Sequence, residues 1–342
     1  MSLPEIRYCP GTLAEGFNTY SKTCLKRLFN GRKVSHFLPY NPPQISEKDA
    51  EKFLENRKRI SISGVQEKLS LILDRYKLRL TEEGEQGNYI LKPIPRDLKK
   101  ADQVPANEHL TMQIARQVYG IPTAENALIF FENGEPAYIT KRFDVKEDAS
   151  LPDGRITKWG KEDFATLAGK TTENAGPDFK YKYSYEDLAG LIVKYVPAHI
   201  VETEKLFKLI VFNYLFSNGD AHLKNFSVLE TPNGDYILSP GYDLLNTRIH
   251  VDDTDFALED GLFKEGFASK EMKQNVSAGL EDFHEFARRL NISNKRRDKL
   301  LEPFLTRQVK VEIFIQRSFL NDQTKRVYLL HYQTRRNQLN SQ

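Results

Sequence analysis

Apolar and polar positions alternate with a period of two in short runs between residues 69 and 143, interrupted by one stretch of helical spacing, and recur near every third or fourth position through most of the chain after residue 183. Leu69-Ser-Leu-Ile-Leu-Asp and Lys77-Leu-Arg-Leu alternate and predict a hairpin, and residues 88–92 predict a third strand ended by Pro93. Leu110, Ile114 and Val118 fall at helical spacing, so a helix is expected over 106–119 with Gly120 as its stop. Residues 127–131 and 137–143 predict a second hairpin around Asn133-Gly134, a strong turn dipeptide. Ser46 is placed to cap a short helix over 46–56. After Phe143 the chain is polar and loop-rich to residue 182, apart from a predicted helix at 162–167. Helices are then predicted over 184–195, 202–217, 270–290, 295–305 and 311–338. The first 45 residues are turn-rich and end at Pro42-Pro43. The expected organisation is an irregular segment 1–45, a β-rich lobe 46–143 and an all-helical lobe 144–342, a two-lobed α+β pattern.

Composition changes this picture little. The chain has 342 residues, 28% charged and 39% hydrophobic, as in ordinary globular proteins. It carries no apolar run long enough for a membrane span, and its first residues lack a signal-peptide pattern. Cys9 and Cys24 do not make a disulfide framework, so reduced thiols and a cytoplasmic location are expected, with half of a zinc knuckle as the alternative. A net charge of +3 does not argue for nucleic-acid binding. The locally basic stretch 310–336 is a solvated helix face or, as the alternative, a nucleic-acid patch.

The candidate chemistry lies in Asn218-Gly-Asp220-Ala-His222-Leu-Lys224-Asn225, which follows an apolar helical stretch, and in Tyr242-Asp243 further on. An aspartate that accepts the proton of an attacking hydroxyl, with an Asn and a second Asp as oxygen ligands for Mg²⁺, is the catalytic-loop layout of phosphoryl transfer by kinases. Alone, Asp220 has a bland reading as a turn residue after Asn-Gly. With Asn225 and Asp243 in the right order, Asp220 is the candidate base, Asn225 and Asp243 the candidate metal ligands, and Lys224 a candidate cation for the transferring phosphate. His222 either packs to hold the loop or meets the nucleotide.

Lys92 ends the third predicted strand, where kinases place a phosphate-binding lysine. Glu108, on the helix that follows, either pairs with Lys92 or is a solvated or capping side chain. The run Ser61-Ile-Ser63-Gly64-Val65-Gln66-Glu67-Lys68, just before a strand, fits a loop that offers backbone N–H groups to phosphate, although it matches no standard glycine-rich motif. Ser61 and Ser63 are candidate autophosphorylation sites. Lys141-Arg142-Phe143-Asp144 is a hinge facing the adenine, or an ordinary edge strand.

Together these residues resemble the HipA family of bacterial toxin kinases. The matching stretches are Ser61–Lys68, Ile90-Leu-Lys92-Pro93, Ala106-Asn-Glu108, Lys141–Asp144, Gly219–Asn225, Pro240–Asp243 and Ser318-Phe319-Leu320. The resemblance implies a two-lobed Ser/Thr protein-kinase fold using ATP and Mg²⁺. It implies Asp220 as base, Asn225 and Asp243 as metal ligands, Lys92 on the phosphates, and inactivation by autophosphorylation at Ser61, with Ser63 as a second site. It further implies an aminoacyl-tRNA synthetase as substrate, growth arrest or persistence as outcome, and a DNA-binding HipB-like antitoxin through which the kinase meets DNA indirectly. About sixty residues precede the serine loop, fewer than in full-length members. That points to the shorter HipT-like branch, where the missing subdomain is a separate small HipS-like protein. Two other classes remain open: a small-molecule phosphotransferase on a related fold, and a non-catalytic corepressor that binds an antitoxin.

Overall fold

The computed structural model describes residues 4–42, 67–96, 98–147, 156–269, 272–273 and 277–340. The helix predicted over 46–56, and Ser61, Ser63, Gly64, Val65 and Gln66, lie outside the described residues.

The first lobe is a five-stranded antiparallel sheet of β1 (Leu69–Asp74), β2 (Lys77–Leu80), β3 (Tyr89–Lys92), β4 (Asn126–Phe130) and β5 (Pro136–Lys141), in the order β2-β1-β3-β5-β4. Alternation sends side chains to opposite faces. On one face Leu71, Leu91, Ala127, Ile129 and Ile139 meet Cys24, Leu28 and Phe29 of helix α1 (Lys22–Phe29). On the other, Leu128 and Tyr138 meet Leu110 and Ile114 of α2 (Val104–Gln117). Cover on both faces explains why every residue of β4 is buried although its sequence is not evenly apolar. Gly134, at φ 87°, closes the predicted β4–β5 turn.

Residues 4–42 are irregular apart from α1, but they are packed on the sheet and not loose. Ser21 caps α1 by accepting from the Cys24 N–H, and both cysteines are free and buried against the sheet. The signal was missed because the segment has one short helix and no repeating pattern, so only its apolar contacts with the sheet order it.

The second half is built on α3 (Tyr185–Tyr195), α4 (His199–Leu215), α5 (Leu280–Arg289), α6 (Asn294–Leu305), α7 (Val309–Arg317) and α8 (Asp322–Asn340). Ser184 and Asp187 form a reciprocal capping box that starts α3. Phe216, just past α4, stacks on Tyr332 of α8 at 5.3 Å, and Tyr119, just past α2, stacks on Phe304 of α6 at 4.7 Å. The Tyr119–Phe304 contact joins the lobes, and the Phe216–Tyr332 contact packs the second lobe on itself. No helix among the described residues is long and apolar enough to cross a membrane.

Three helical expectations need correction. The helix predicted over 311–338 is two helices, α7 and α8, separated at Ser318–Asn321, where Asn321 accepts from the Thr324 N–H. Over 270–290 the continuous described helix begins only at Leu280, where Asp282 reaches back to the Gly279 N–H. At 162–167, Glu162 and Asp163 belong to a strand, and the helical turn is Phe164–Leu167 alone, capped by Asp163.

The second half is also not all helix. It carries the pair β6 (Val145–Glu147) and β7 (Ile156–Lys158), and a three-stranded sheet of β8 (Lys161–Asp163), β9 (Ser227–Glu230) and β10 (Tyr236–Leu238). These strands have three or four residues each, too short to display a period. The β9–β10 hairpin positions the site. It runs out directly after Asn225 and returns just before Tyr242-Asp243, with Ser239 N–H bonded to the Ser227 carbonyl.

Candidate active site

The loop after α4 owes its shape to its own backbone. Ser217 takes a left-handed conformation at φ 52° and ends the helix, and the Asn218 N–H bonds to the Asn213 carbonyl at 2.8 Å. Gly219 donates to Thr247 Oγ1 at 2.8 Å. A Cβ built there would lie 2.5 Å from both the Asp253 carboxyl carbon and the Thr254 carbonyl oxygen, so the position admits no side chain. Asp220 follows, its main chain held by the His222 N–H and its Oδ1 accepting from Tyr181 Oη at 3.0 Å. The helical turn Leu223–Asn225 then delivers Asn225 to the start of β9.

Asp243, at φ 56°, faces Asn225 across the hairpin. Its Oδ2 accepts a long 3.4 Å bond from Asn225 Nδ2 and lies 3.8 Å from Lys68 Nζ. Its Oδ1 accepts from Lys92 Nζ at 2.5 Å, and the same ammonium donates to Glu108 Oε1 at 2.6 Å. Of the two readings of Glu108, the ion pair is the one present. Lys92 is 4% exposed and Glu108 1%, so the three charges form a buried carboxylate–ammonium–carboxylate row joining β3, α2 and the β10 return.

Burial pulls the Lys92 pKa down, but the Asp243 and Glu108 carboxylates more than reverse this and hold it charged. Burial pushes Asp243 up, and Lys92, then Lys68, more than offset it, so it stays ionised. Glu108 sits deeper; desolvation wins over Lys92 and raises its pKa to about 7. Desolvation, then the Lys180 charge, drops His222 to about 3, so its imidazole is neutral.

A divalent cation fits between Asn225 and Asp243. Among the described residues Asn225 Oδ1 is buried without a hydrogen-bond partner, and Asp243 Oδ2 has only the two distant contacts above. Hard cations take such oxygen donors.

The other expected residues scatter. Lys68 points at Asp243, and Glu67 precedes it as the first described residue of that run. Lys141 Nζ donates to Asn30 Oδ1 at 2.8 Å, on the α1 side. Arg142 pairs with Asp144 at 2.6 Å, whereas Phe143 packs on Tyr242 at 5.7 Å with Lys161 over both rings. Lys224 is exposed, with its ammonium 5.6 Å from the Phe179 ring, and its carbonyl accepts from Tyr242 Oη.

Sequence reasoning missed the turn Phe179–Tyr181. It supplies the hydroxyl on Asp220 and sets Tyr181 edge-on to the His222 ring at 5.3 Å. It also carries Lys180, whose pKa burial lowers despite the opposing Asp220 charge. Nothing in Asp178-Phe-Lys-Tyr-Lys distinguishes it from a surface loop; its role depends on a long-range return over the loop.

Comparison with known proteins places this geometry. A family model described as HipA-like C-terminal domain matches residues 60–311. A putative kinase of Haemophilus influenzae is 29% identical over 318 residues, which are 90% of this chain and 88% of that protein. The serine/threonine-protein kinase toxin HipA of Shewanella oneidensis is 26% identical over 209 residues, 58% of this chain and 46% of that protein. A solved Shewanella oneidensis HipA, in complex with HipB and operator DNA, matches with a TM-score of 0.60 at 20% identity, over 88% of this chain and 71% of that one. The Helicobacter pylori proinflammatory kinase CtkA matches with a TM-score of 0.50 at 15% identity, over 77% and 90%. The fold is accordingly the two-lobed, kinase-like one.

Proposed function

The chain belongs to the HipA-like C-terminal domain family, and from that premise we propose that it is a Ser/Thr protein kinase of a toxin–antitoxin pair, which transfers the γ-phosphate of ATP to a protein. The observation that carries the reading is the buried contact of Lys92 with both Glu108 and Asp243, beside Asn225 and the Asp220 loop. Asp220 accepts the proton of the attacking hydroxyl, with Tyr181 Oη donating to its Oδ1 and fixing the carboxylate's orientation. Asn225 and Asp243 would hold Mg²⁺, which would supply charge neutralisation for the nucleotide phosphates. Lys92 supplies fixed positive charge for the phosphates, and Lys224 an exposed one at the mouth of the loop. The neutral His222 fills the space behind Asp220 and adds no charge there.

In this reading the serine loop binds phosphate through residues 63–68, the backbone of Lys141–Phe143 meets the adenine edge, and Ser61 and Ser63 are the autophosphorylation sites. Residues 46–143 form the first lobe and 144–342 the second; the packing of residues 4–42 on the sheet supports joining them to the first. The protein substrate is an aminoacyl-tRNA synthetase and the partner a HipB-like antitoxin. Support for the partner is the likeness to Shewanella HipA, solved with HipB. Family resemblance alone supports the substrate, the cytoplasmic location and the HipT-like branch with its HipS-like protein.

The test is incubation of the full chain with labelled ATP and Mg²⁺, with phosphosites mapped by mass spectrometry, beside Asp220→Ala. Phosphate on Ser61 or Ser63 that vanishes in a folded Asp220→Ala variant is expected. Transfer only to a small molecule, with none to any protein, overturns the reading.

A further inference from the structure

Away from the candidate site, a cavity of about 780 Å³ opens between the N-terminal segment, the C-terminal end of α2 and helix α7. Its wall includes Leu13 and Phe314, both buried, and Phe17, which is 36% exposed beside it. Five cations surround this apolar floor: Lys22 and Arg27 on α1, Arg116 on α2, and Lys310 and Arg317 on α7.

The charges do not balance. Arg116 is paired with Glu125 and Arg317 with Glu15. Among the described residues Lys22, Arg27 and Lys310 make no ion pair; the Lys310 ammonium has only the Gln117 carbonyl, at 2.9 Å, and the Phe314 ring. The cations converge, from three segments far apart in sequence, on a concavity whose floor is aromatic and aliphatic.

We propose that this groove is a docking site for an acidic peptide segment of a partner protein, with an apolar side chain set among its carboxylates. The apolar side chain would cover the Leu13–Phe17–Phe314 floor, and the carboxylates would meet Lys22, Arg27 and Lys310. A binding site with an apolar centre and a charged rim has this anatomy. Nucleic acid fits less well, because its backbone seeks a basic stripe several phosphates long, whereas these cations ring a cavity. The site is independent of the proposed kinase reaction. Arg116 lies eight residues along α2 from Glu108, about 12 Å by helical rise, so the test reads binding and not catalysis.

The experiment measures fluorescence anisotropy of the full chain with a fluorescein-labelled peptide of Glu and Asp around one Phe. Comparators are the same peptide with Phe replaced by Ala, and a single-stranded DNA oligonucleotide of equal charge. The variant is Arg27→Glu/Lys310→Glu; both side chains are exposed, and circular dichroism checks that its melting is unchanged. The proposal expects saturable binding, weakened at least about tenfold in the double variant, which is about 1.4 kcal/mol, and weakened also by loss of the Phe. No binding by the unaltered chain, equal binding by the double variant, or tighter binding of the oligonucleotide than of the peptide overturns it; the last outcome would assign the groove to nucleic acid.

Discussion

Replacing Lys92 with methionine keeps most of the side-chain stem and removes one buried charge. The consequence follows from what Lys92 touches. Its ammonium lies 2.6 Å from Glu108 and 2.5 Å from Asp243, Lys92 and Glu108 are buried and Asp243 is partly so, and among the described residues no other cation pairs with Glu108. Without Lys92, two carboxylates share a buried site in which, among the described residues, Lys68 at 3.8 Å from Asp243 is the one cation left to offset them. Breaking a buried ion pair by removing one partner costs about 3–5 kcal/mol. The expected loss is of that size at pH 8. It should shrink as the solution is acidified. Glu108 already has its pKa raised to about 7 by burial, and losing the opposing Lys92 charge raises it further. The Glu108 carboxyl is thus protonated in the folded variant at a pH where it is ionised in the unfolded chain. A raised carboxyl pKa adds stability as pH falls through the folded value, so the variant recovers part of its loss between pH 8 and pH 5.5.

Urea denaturation followed by circular dichroism at both pH values measures this, with Glu108→Gln and the double variant closing a cycle. Glu108→Gln should rescue Lys92→Met by about 1–3 kcal/mol, because it removes one of the two stranded charges. A loss under about 1 kcal/mol for Lys92→Met at pH 8, or no rescue by Glu108→Gln, would refute the account of the row as a mutually neutralising unit.

Tyr181→Phe removes only the hydroxyl on Asp220; the turnover rate should fall about tenfold with little change in KM for ATP and none in melting temperature, and an unchanged rate would remove Tyr181 from the site. Gly219→Ala forces a Cβ to within 2.5 Å of the Asp253 carboxyl and the Thr254 carbonyl; it should cost about 1–3 kcal/mol in denaturation and lower turnover, and a stable, fully active variant would mean the loop moves more easily than its contacts suggest. His250 is neutral, with Nδ1 donating to the Lys99 carbonyl and Nε2 accepting from Asn107, and its pKa is lowered to about 4 by burial. The unfolded chain therefore binds the proton first as pH falls below about 6.5, and stability is lost toward pH 4, by about 2 kcal/mol at pH 5. His250→Gln should flatten that slope in urea titrations at pH 7.5 and 5; an identical slope would exclude His250 as its source.

What was legible from the residues follows the length of each signal. β1, β2, β4, β5 and α2 each carry a repeating apolar pattern over four residues or more, and all fall within two or three residues of expectation. The break between α7 and α8 was illegible because apolar spacing continues through Ser318–Asn321, and only the Asn321 and Gln103 contacts there reveal the turn. Strands β6 to β10 were too short to show a period. Of the site, the order Asp220, Asn225, Asp243 was readable, as was Lys92 before a helix bearing Glu108. Tyr181 and Lys180 were not, since a turn that returns from a distant loop leaves no local mark. The serine loop falls outside the described residues.

One residue shows why the site can be assembled from such scattered pieces. Asn107, immediately before Glu108, is fully buried. Its Nδ2 donates to the Asn246 carbonyl at 2.8 Å, and its Oδ1 accepts the Asn246 N–H at 3.0 Å. Asn246 lies three residues beyond Asp243, so α2 is clamped to the very loop that carries the candidate metal ligand. His250 closes the clamp from the far side, anchored in turn to Lys99 before α2. Two adjacent helix residues therefore do different jobs. Asn107 fixes the distance between the lobes with neutral, directional bonds, and Glu108 uses the distance so fixed to share Lys92 with Asp243. A buried charge row tolerates little slack, because each stranded charge is costly. The neutral clamp beside it keeps the row in register, and this explains how a lysine on β3 and an aspartate 151 positions later form one site.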